Sequence, residues 1–211
     1  MPLRIAAADG SSEPRAIEFK GGFVPTELVN PGAWLPDGKA YVGSVRDGGS
    51  PGDVWVIPVD GSTAQRVVAS PFDEHAPAVS ADGRWLAYQS NETGRIEVYV
   101  RSLTDAASRV QVSNAGGFGP TWDRRRPILY YMQLDDSRLR LEAATLRTAP
   151  LAVASRKTVI ANVAAELSDN HANFDVHPSG NRFVFPEEEP STGLLAVFDW
   201  AAAVRRPGKG L

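Results

Sequence analysis

The chain alternates short apolar runs with polar segments that hold Gly, Pro, Asp or Ser. The same order appears four times. An apolar segment meets a tight turn, a second apolar run follows, then a polar loop, then a third run. The second runs lie at 40–43, 85–88, 128–131 and 182–185, and the third runs at 54–59, 96–103, 139–146 and 194–200. The loops between them are Asp47-Gly48-Gly49-Ser50-Pro51-Gly52, Asn91-Glu92-Thr93-Gly94, Asp135-Asp136-Ser137 and residues 187–193. The first three units add a fourth run at 66–69, 109–112 and 157–160. Runs this short, rich in Val, Tyr, Trp and Ile and fenced by turn residues, predict antiparallel strands joined by hairpins.

The turn after the first run sets the period. Asp82-Gly83 lies 45 residues after Asp37-Gly38, Arg125 takes the Asp82 place 43 residues later, and Ser179 takes it 54 residues after that. Trp34, Val79, Trp122 and Val176 then share one position at the end of the first strand. Gly38 and Gly83 are expected at positive φ, where glycine closes a hairpin without strain. Arg124-Arg125-Arg126-Pro127 has no glycine, which predicts a different third hairpin. Four antiparallel strands per roughly 45 residues is the repeat of a propeller blade. A parallel solenoid has shorter rungs, and a β-sandwich lacks the recurring Asp-Gly turn.

The expected fold is therefore all-β: a β-propeller of about four antiparallel four-stranded blades. Residues 20–70, 71–113 and 114–165 form blades one to three, 166–200 an incomplete fourth, and 201–211 a polar tail. Residues 3–7, Asp9-Gly10 and 15–17 repeat the pattern of 54–59, Asp60-Gly61 and 66–68. Residues 1–19 thus read as the outer strands of a partial blade. Two arrangements remain open: a closed four-blade ring, or an open fragment of a larger propeller with Met1 as an internal start. The open fragment is favoured, with apolar blade faces exposed at Phe23, Val24 and Phe198.

Composition narrows the chemistry. Apolar residues are 43% and charged residues 22%, a globular balance that excludes a disordered chain. There is no cysteine, so disulfide scaffolds, cysteine zinc sites and cysteine nucleophiles are excluded. A net charge of −3 argues against a nucleic-acid partner. No apolar run of signal-peptide length precedes Asp9, and none approaches the ~20 residues of a membrane span. As it stands the chain reads as soluble.

Candidate chemistry is sparse. His75 and His171 lie just before inner strands, a place that faces a central channel; a metal site or proton-transfer group is the sharp reading, and turn histidines the favoured one. His177 is a turn residue. Trp34 and Trp122 form an aromatic channel wall or pack between blades. Asp135-Asp136 and Glu187-Glu188-Glu189 offer paired carboxylates, but no Asp-x-Asp-x-Asp-Gly loop accompanies them, so solvated hairpin tips are favoured. Arg124-Arg125-Arg126 and Arg205-Arg206 lack interleaved aromatics for nucleic acid. No Gly-x-Ser-x-Gly elbow supports a serine hydrolase. Asn91-Glu92-Thr93 fits a glycosylation pattern and reads as a turn.

Residues 78–100, Ala-Val-Ser-Ala-Asp-Gly-Arg-Trp-Leu-Ala-Tyr-Gln-Ser-Asn-Glu-Thr-Gly-Arg-Ile-Glu-Val-Tyr-Val, resemble the WD-like repeat of TolB-type propellers. The match is good at Leu35-Pro36-Asp37-Gly38, partial at His177-Pro178-Ser179-Gly180, and fails at the third turn. Phe72-Asp73-Glu74-His75-Ala76-Pro77, Ser113-Asn114-Ala115-Gly116-Gly117 and Leu195-Ala196-Val197-Phe198-Asp199-Trp200 resemble propellers in the C-terminal halves of bacterial receptor-like serine/threonine protein kinases. The kinase motifs themselves are absent. The resemblance implies a non-catalytic module, sensory or scaffolding, that docks a protein, peptide or small ligand. No catalytic, cofactor-binding or metal-ligating residue and no cofactor is assigned; Trp34, His75, Trp122 and His171 are the candidate binding face. The location it implies is extracytoplasmic for a TolB-like or receptor-kinase parent, and cytoplasmic otherwise. The alternative is a hydrolase or lyase with a site at the channel mouth, which needs a His, Asp or Glu cluster converging there.

Overall fold

The computed structural model describes residues 3–17, 27–46, 49–136, 138–165 and 171–186. The expectations placed on Phe23, Val24, Phe198, the 187–193 loop, the 194–200 run and Arg205-Arg206 lie outside the described residues. The described residues contain strands and no helix, and so no helix long and apolar enough to cross a membrane.

A two-stranded ribbon, β1 (Arg4–Ile5) and β2 (Arg15–Ala16), comes first. Three four-stranded antiparallel meanders follow. The first is β3 (Glu27–Trp34), β4 (Ala40–Arg46), β5 (Asp53–Pro58) and β6 (Gln65–Val68). The second is β7 (Glu74–Val79), β8 (Trp85–Ser90), β9 (Glu97–Ser102) and β10 (Arg109–Gln111). The third is β11 (Phe118–Trp122), β12 (Ile128–Asp135), β13 (Arg138–Thr148) and β14 (Leu151–Ile160). A last pair, β15 (Asp175–Val176) and β16 (Phe183–Val184), opens a fourth unit. The first strands gather together: β7 packs on both β3 and β11, and β11 on β15. These are the blades of an all-β propeller. Among the described residues the β1–β2 ribbon and the β15–β16 pair are separate sheets, so the described part is an open run of blades.

The third sheet is longer than its apolar pattern indicates. β14 begins at Leu151 rather than at 157, after a two-residue turn at Ala149–Pro150 that pairs Thr148 with Leu151. Residues 154–158 are exposed, so this outer strand carries no apolar alternation to read.

The core lies between blades, not within one sheet. In β8, Leu86 and Tyr88 pack toward the first blade against Val42, Val54 and Val68. Trp85 and Ala87 pack toward the third, with Trp122, Leu129 and Tyr131. In β12 the alternate residues Tyr130 and Met132 pack on Phe174 and Val176 of the fourth unit. Successive side chains of a strand point to opposite faces, and here both faces are covered. That explains why the inner runs read as continuously apolar. Leu3 of the leading ribbon packs beside Val45, Ile57 and Ala64 of the first blade, the position of a preceding blade.

The register shows the repeat directly. Trp34, Val79, Trp122 and Val176 each end a first strand and pair with Tyr41, Leu86, Leu129 and Phe183. The four turns share one outer bond: Leu35, Ser80, Asp123 and His177 each donate N–H to the carbonyl five residues on, at 2.9 Å. Gly38, Gly83 and Gly180 adopt φ of 69°, 71° and 69°. The third turn differs, as its missing glycine indicates. There the Asp123 carboxylate accepts the N–H of Arg125 and of Arg126, both at 2.9 Å, and Ile128 donates to the Arg126 carbonyl at 2.7 Å.

The inner strands of the first three blades also carry a one-residue bulge at the same place. Pairing shifts between Asn30 and Ala33, His75 and Ala78, and Phe118 and Thr121. In two blades the bulge is a left-handed residue followed by proline: Ala76 at φ 49° before Pro77, and Gly119 at φ 57° before Pro120. Proline has no N–H to leave unpaired where the ladder breaks. The left-handed Ala76 reverses ordinary strand preference. A β-branched residue there is strained twice, by φ and by χ1. Ala76→Val is expected to cost about 2 kcal/mol or more, while Ala76→Gly stays within about 0.5 kcal/mol, because the relief of strain offsets the lost methyl. Thermal melts of both variants check the order; Val melting above Gly would remove the strain argument.

Candidate functional site

The bulged inner strands border a cavity of about 600 Å³. Its wall takes Gly32, Ala33 and Pro36 from the first unit, 76–81 from the second, 120–124 from the third, and His171, Ala172, Phe174 and Asp175 from the fourth. Small residues and prolines dominate this wall. Bulky side chains at these places would fill the space between converging strands.

A buried polar framework stands behind the wall. His75 is 5% exposed. Its Nε2 lies 3.1 Å from Gln89 Nε2, and the Gln89 carbonyl oxygen accepts the Gly119 N–H at 2.8 Å. That second bond fixes Gln89 Nε2 as an amide donor. His75 Nε2 is therefore the acceptor, and the proton of the neutral ring sits on Nδ1, 3.9 Å from Asp73 Oδ2. The hydrogen-bonded chain His75–Gln89–Gly119 thus runs from the first strand of the second blade to the bulge of the third.

Asp73 also ties the second blade to the first. Its carboxylate accepts from Arg46 at 2.5 Å and from the Gly52 N–H at 2.7 Å, and the Glu74 N–H reaches the Gly52 carbonyl at 2.7 Å. Glu74 is buried; one carboxyl oxygen accepts from the Ser70 hydroxyl, and the other has no hydrogen-bond partner among the described residues. Burial pushes this carboxyl above its ordinary value against the Ser70 bond, and the neighbouring Asp53 and Glu92 charges add to the rise. Between the second and third blades, buried Glu97 plays the matching part, accepting from the Ser113 hydroxyl, from the Gly116 N–H at 3.0 Å and from Arg95 at 2.6 Å. The segments Phe72–Pro77 and Ser113–Gly117 are thus blade-to-blade clamps.

Beside the cavity, a second hollow of about 300 Å³ separates the turns of the second and third blades. Trp85 and Trp122 contribute to its walls, with Arg124, Arg125 and Arg126 along one side. The Trp122 indole N–H donates to the Ala78 carbonyl at 3.1 Å, closing the two inner strands together between the hollows. Trp122 and Arg124 border both spaces.

The four residues proposed from sequence fall in different places. Trp122 and His171 lie on the cavity wall. His75 lies within β7, not before it, and is buried in the framework. Trp34 is 51% exposed and packs edge-on against Tyr41, with ring centroids 6.2 Å apart. Of the loop acids, Asp135 pairs with Arg140 at the β12–β13 turn, where Asp136 takes φ 43°. Among the described residues no three His, Asp or Glu side chains converge as a metal site would require. Arg124, small-residue strand segments and the Ala-Pro and Gly-Pro bulges were not singled out from sequence as site elements. The signal for the bulges was present in the shared Ala76-Pro77 and Gly119-Pro120 spacing before each Val79 or Trp122.

No family model matches the chain. Among curated proteins, it is 27% identical over 84 residues to the Tol-Pal system protein TolB of Desulfosudis oleivorans, covering 40% of this chain and 19% of that protein. It is 28% identical over 89 residues to an uncharacterized protein of Agrobacterium fabrum, covering 41% of this chain and 30% of that one. The matches thus span less than a third of either curated relative. Among solved structures, the putative TolB of Agrobacterium tumefaciens aligns with a TM-score of 0.38 at 15% identity, covering 72% of each chain. TolB of Acinetobacter baumannii aligns with a TM-score of 0.44 at 14% identity, covering 76% of this chain and 46% of that one.

Proposed function

We propose that this chain is a non-catalytic binding module, a propeller segment that takes a protein or peptide partner at the inner-strand cavity. One observation carries the reading: four consecutive units contribute their inner-strand regions to a single cavity of about 600 Å³. A volume of that size suits a few side chains or a small ligand. Its wall offers apolar surface with a few polar groups. The Tol-Pal name of one curated relative fits a role in a protein assembly, and an extracytoplasmic site for the parent. A sensory or scaffolding place beside a receptor-like kinase rests on the resemblance of Phe72–Pro77 and Ser113–Gly117 to such propellers.

Panning a phage-displayed library of random dodecapeptides on the chain tests this. Enriched peptides are expected to bind the wild type and to lose at least about tenfold in affinity against Thr121→Trp, which fills the cavity from its wall. Matching melting midpoints show that the variant is folded. Peptides that bind both proteins equally, or no enrichment, would overturn the cavity reading.

A further inference from the structure

The charged groups around the smaller hollow are Asp82, Asp123, Arg124, Arg125 and Arg126. Three of the five are already satisfied. Asp82 accepts from the Ser80 hydroxyl at 2.6 Å and the Arg84 N–H at 3.1 Å. Asp123 is 3% exposed and pairs with Arg126 through Nη2 at 2.5 Å and Nε at 3.1 Å. Arg126 also reaches the Gly180 carbonyl at 2.8 Å. The side chains of Arg124 and Arg125 are exposed and have no hydrogen bond or ion pair among the described residues. They stand where the first unit has Pro36-Asp37 and the second Ala81-Asp82, so a place that holds one anionic side chain there holds two cationic ones here. Arg124 borders both the hollow and the cavity, so it stands between the two spaces.

Two unpaired guanidinium groups beside buried indoles suit a carboxylate on an apolar chain. Asp175 bears on the other side of the question. It lines the cavity and not the hollow, it is exposed, and among the described residues its carboxylate accepts the Val176 N–H at 2.7 Å. An acid in the fourth-unit part of the cavity would meet Asp175; an acid over the hollow meets Arg124 and Arg125. The charge layout therefore orients a ligand with its acidic part between the second and third turns.

We propose that this face selects an acidic peptide, whose carboxylates engage Arg124 and Arg125 over the hollow while adjoining apolar side chains enter the cavity. The inference rests on the binding-module reading and adds the chemistry of the partner. Fluorescence anisotropy with a labelled dodecapeptide alternating Glu and Leu measures it, with Gln-Leu and Lys-Leu peptides as counterparts. The Glu peptide is expected to bind, and to weaken as ionic strength rises. Arg124→Ala and Arg125→Ala should each lose about three- to tenfold, and Arg124→Glu/Arg125→Glu should abolish binding. The control Arg15→Glu/Arg138→Glu, with the same charge change elsewhere on the surface, should bind like the wild type. Succinate and inorganic phosphate at millimolar concentration should fail to displace the peptide; displacement would mean that the arginines read an isolated anion and would overturn the peptide assignment. Equal binding of the Glu and Gln peptides, or equal loss in the control pair, would overturn it too. Panned peptides that lack acids yet fail on Thr121→Trp would sink this inference and leave the cavity reading standing.

Discussion

Gly119→Ala is expected to lower unfolding free energy by about 3 kcal/mol, read from urea denaturation. Two causes add. Gly119 sits at φ 57°, a left-handed conformation that an L-residue adopts at a cost of about 1–2 kcal/mol. A Cβ there would also stand 2.8 Å from Ala172 Cα and 3.4 Å from Ala172 N. Those are backbone atoms, which cannot swing aside as the end of a long side chain would. Moving the strand away instead would stretch the Gly119 N–H bond to Gln89, and with it the link to His75. Gly94→Ala separates the two causes. Gly94 has φ 84° with nothing within 4 Å of the added methyl, so it should lose only about 1 kcal/mol. Equal losses at the two sites would show that the third and fourth units do not approach as closely as Gly119 and Ala172 indicate.

Asp123→Ala is expected to cost about 2–3 kcal/mol. It removes the acceptor of two turn N–H groups and of the Arg126 guanidinium. The ion-pair share is discounted because the Arg126 side chain is 49% exposed. The effect depends on pH in a defined direction. Burial opposes ionisation of Asp123, but the Arg126 guanidinium and the N–H groups of Arg125 and Arg126 outweigh it and hold the carboxyl below its ordinary value. A carboxyl depressed in the folded state contributes stability above its unfolded value, about 4, and loses it as pH falls through the folded value. The stability gap between wild type and Asp123→Asn should thus be constant near neutrality and shrink below about pH 4. A gap unchanged in acid would show that the charge of Asp123 does not hold the third turn.

These two residues also mark what sequence could and could not convey. The blade repeat was legible because Asp37-Gly38 and Asp82-Gly83 need the same positive φ, and because Trp34, Val79, Trp122 and Val176 keep one register against the following strand. The odd third turn was legible as an absence of glycine, but not its remedy. Asp123 reads as an ordinary polar residue until its carboxylate is seen replacing a backbone acceptor. The long β14 was hidden by its exposure, since a strand with no buried stripe has no period to read. His75 shows the limit for the site. Its spacing is that of a channel residue, yet it stands just before the bulge with its ring buried against Gln89. Walls made of Ala, Gly and Pro carry no chemical signature in a sequence; convergence of separate units makes them a site.

The bond from Arg126 to the Gly180 carbonyl has a consequence for how such an array can diversify. A Cβ at position 180 would collide with the Asp123 carboxylate and the Arg126 guanidinium. The third unit therefore adds a second demand for glycine in the fourth, beside the turn's own φ of 69°, and a duplicated or transplanted copy of the third would fit best ahead of a neighbour that keeps glycine there. Although the repeats share a register, they are not interchangeable parts. Their order along the chain is recorded at the seams, and recombination between them would be filtered there first.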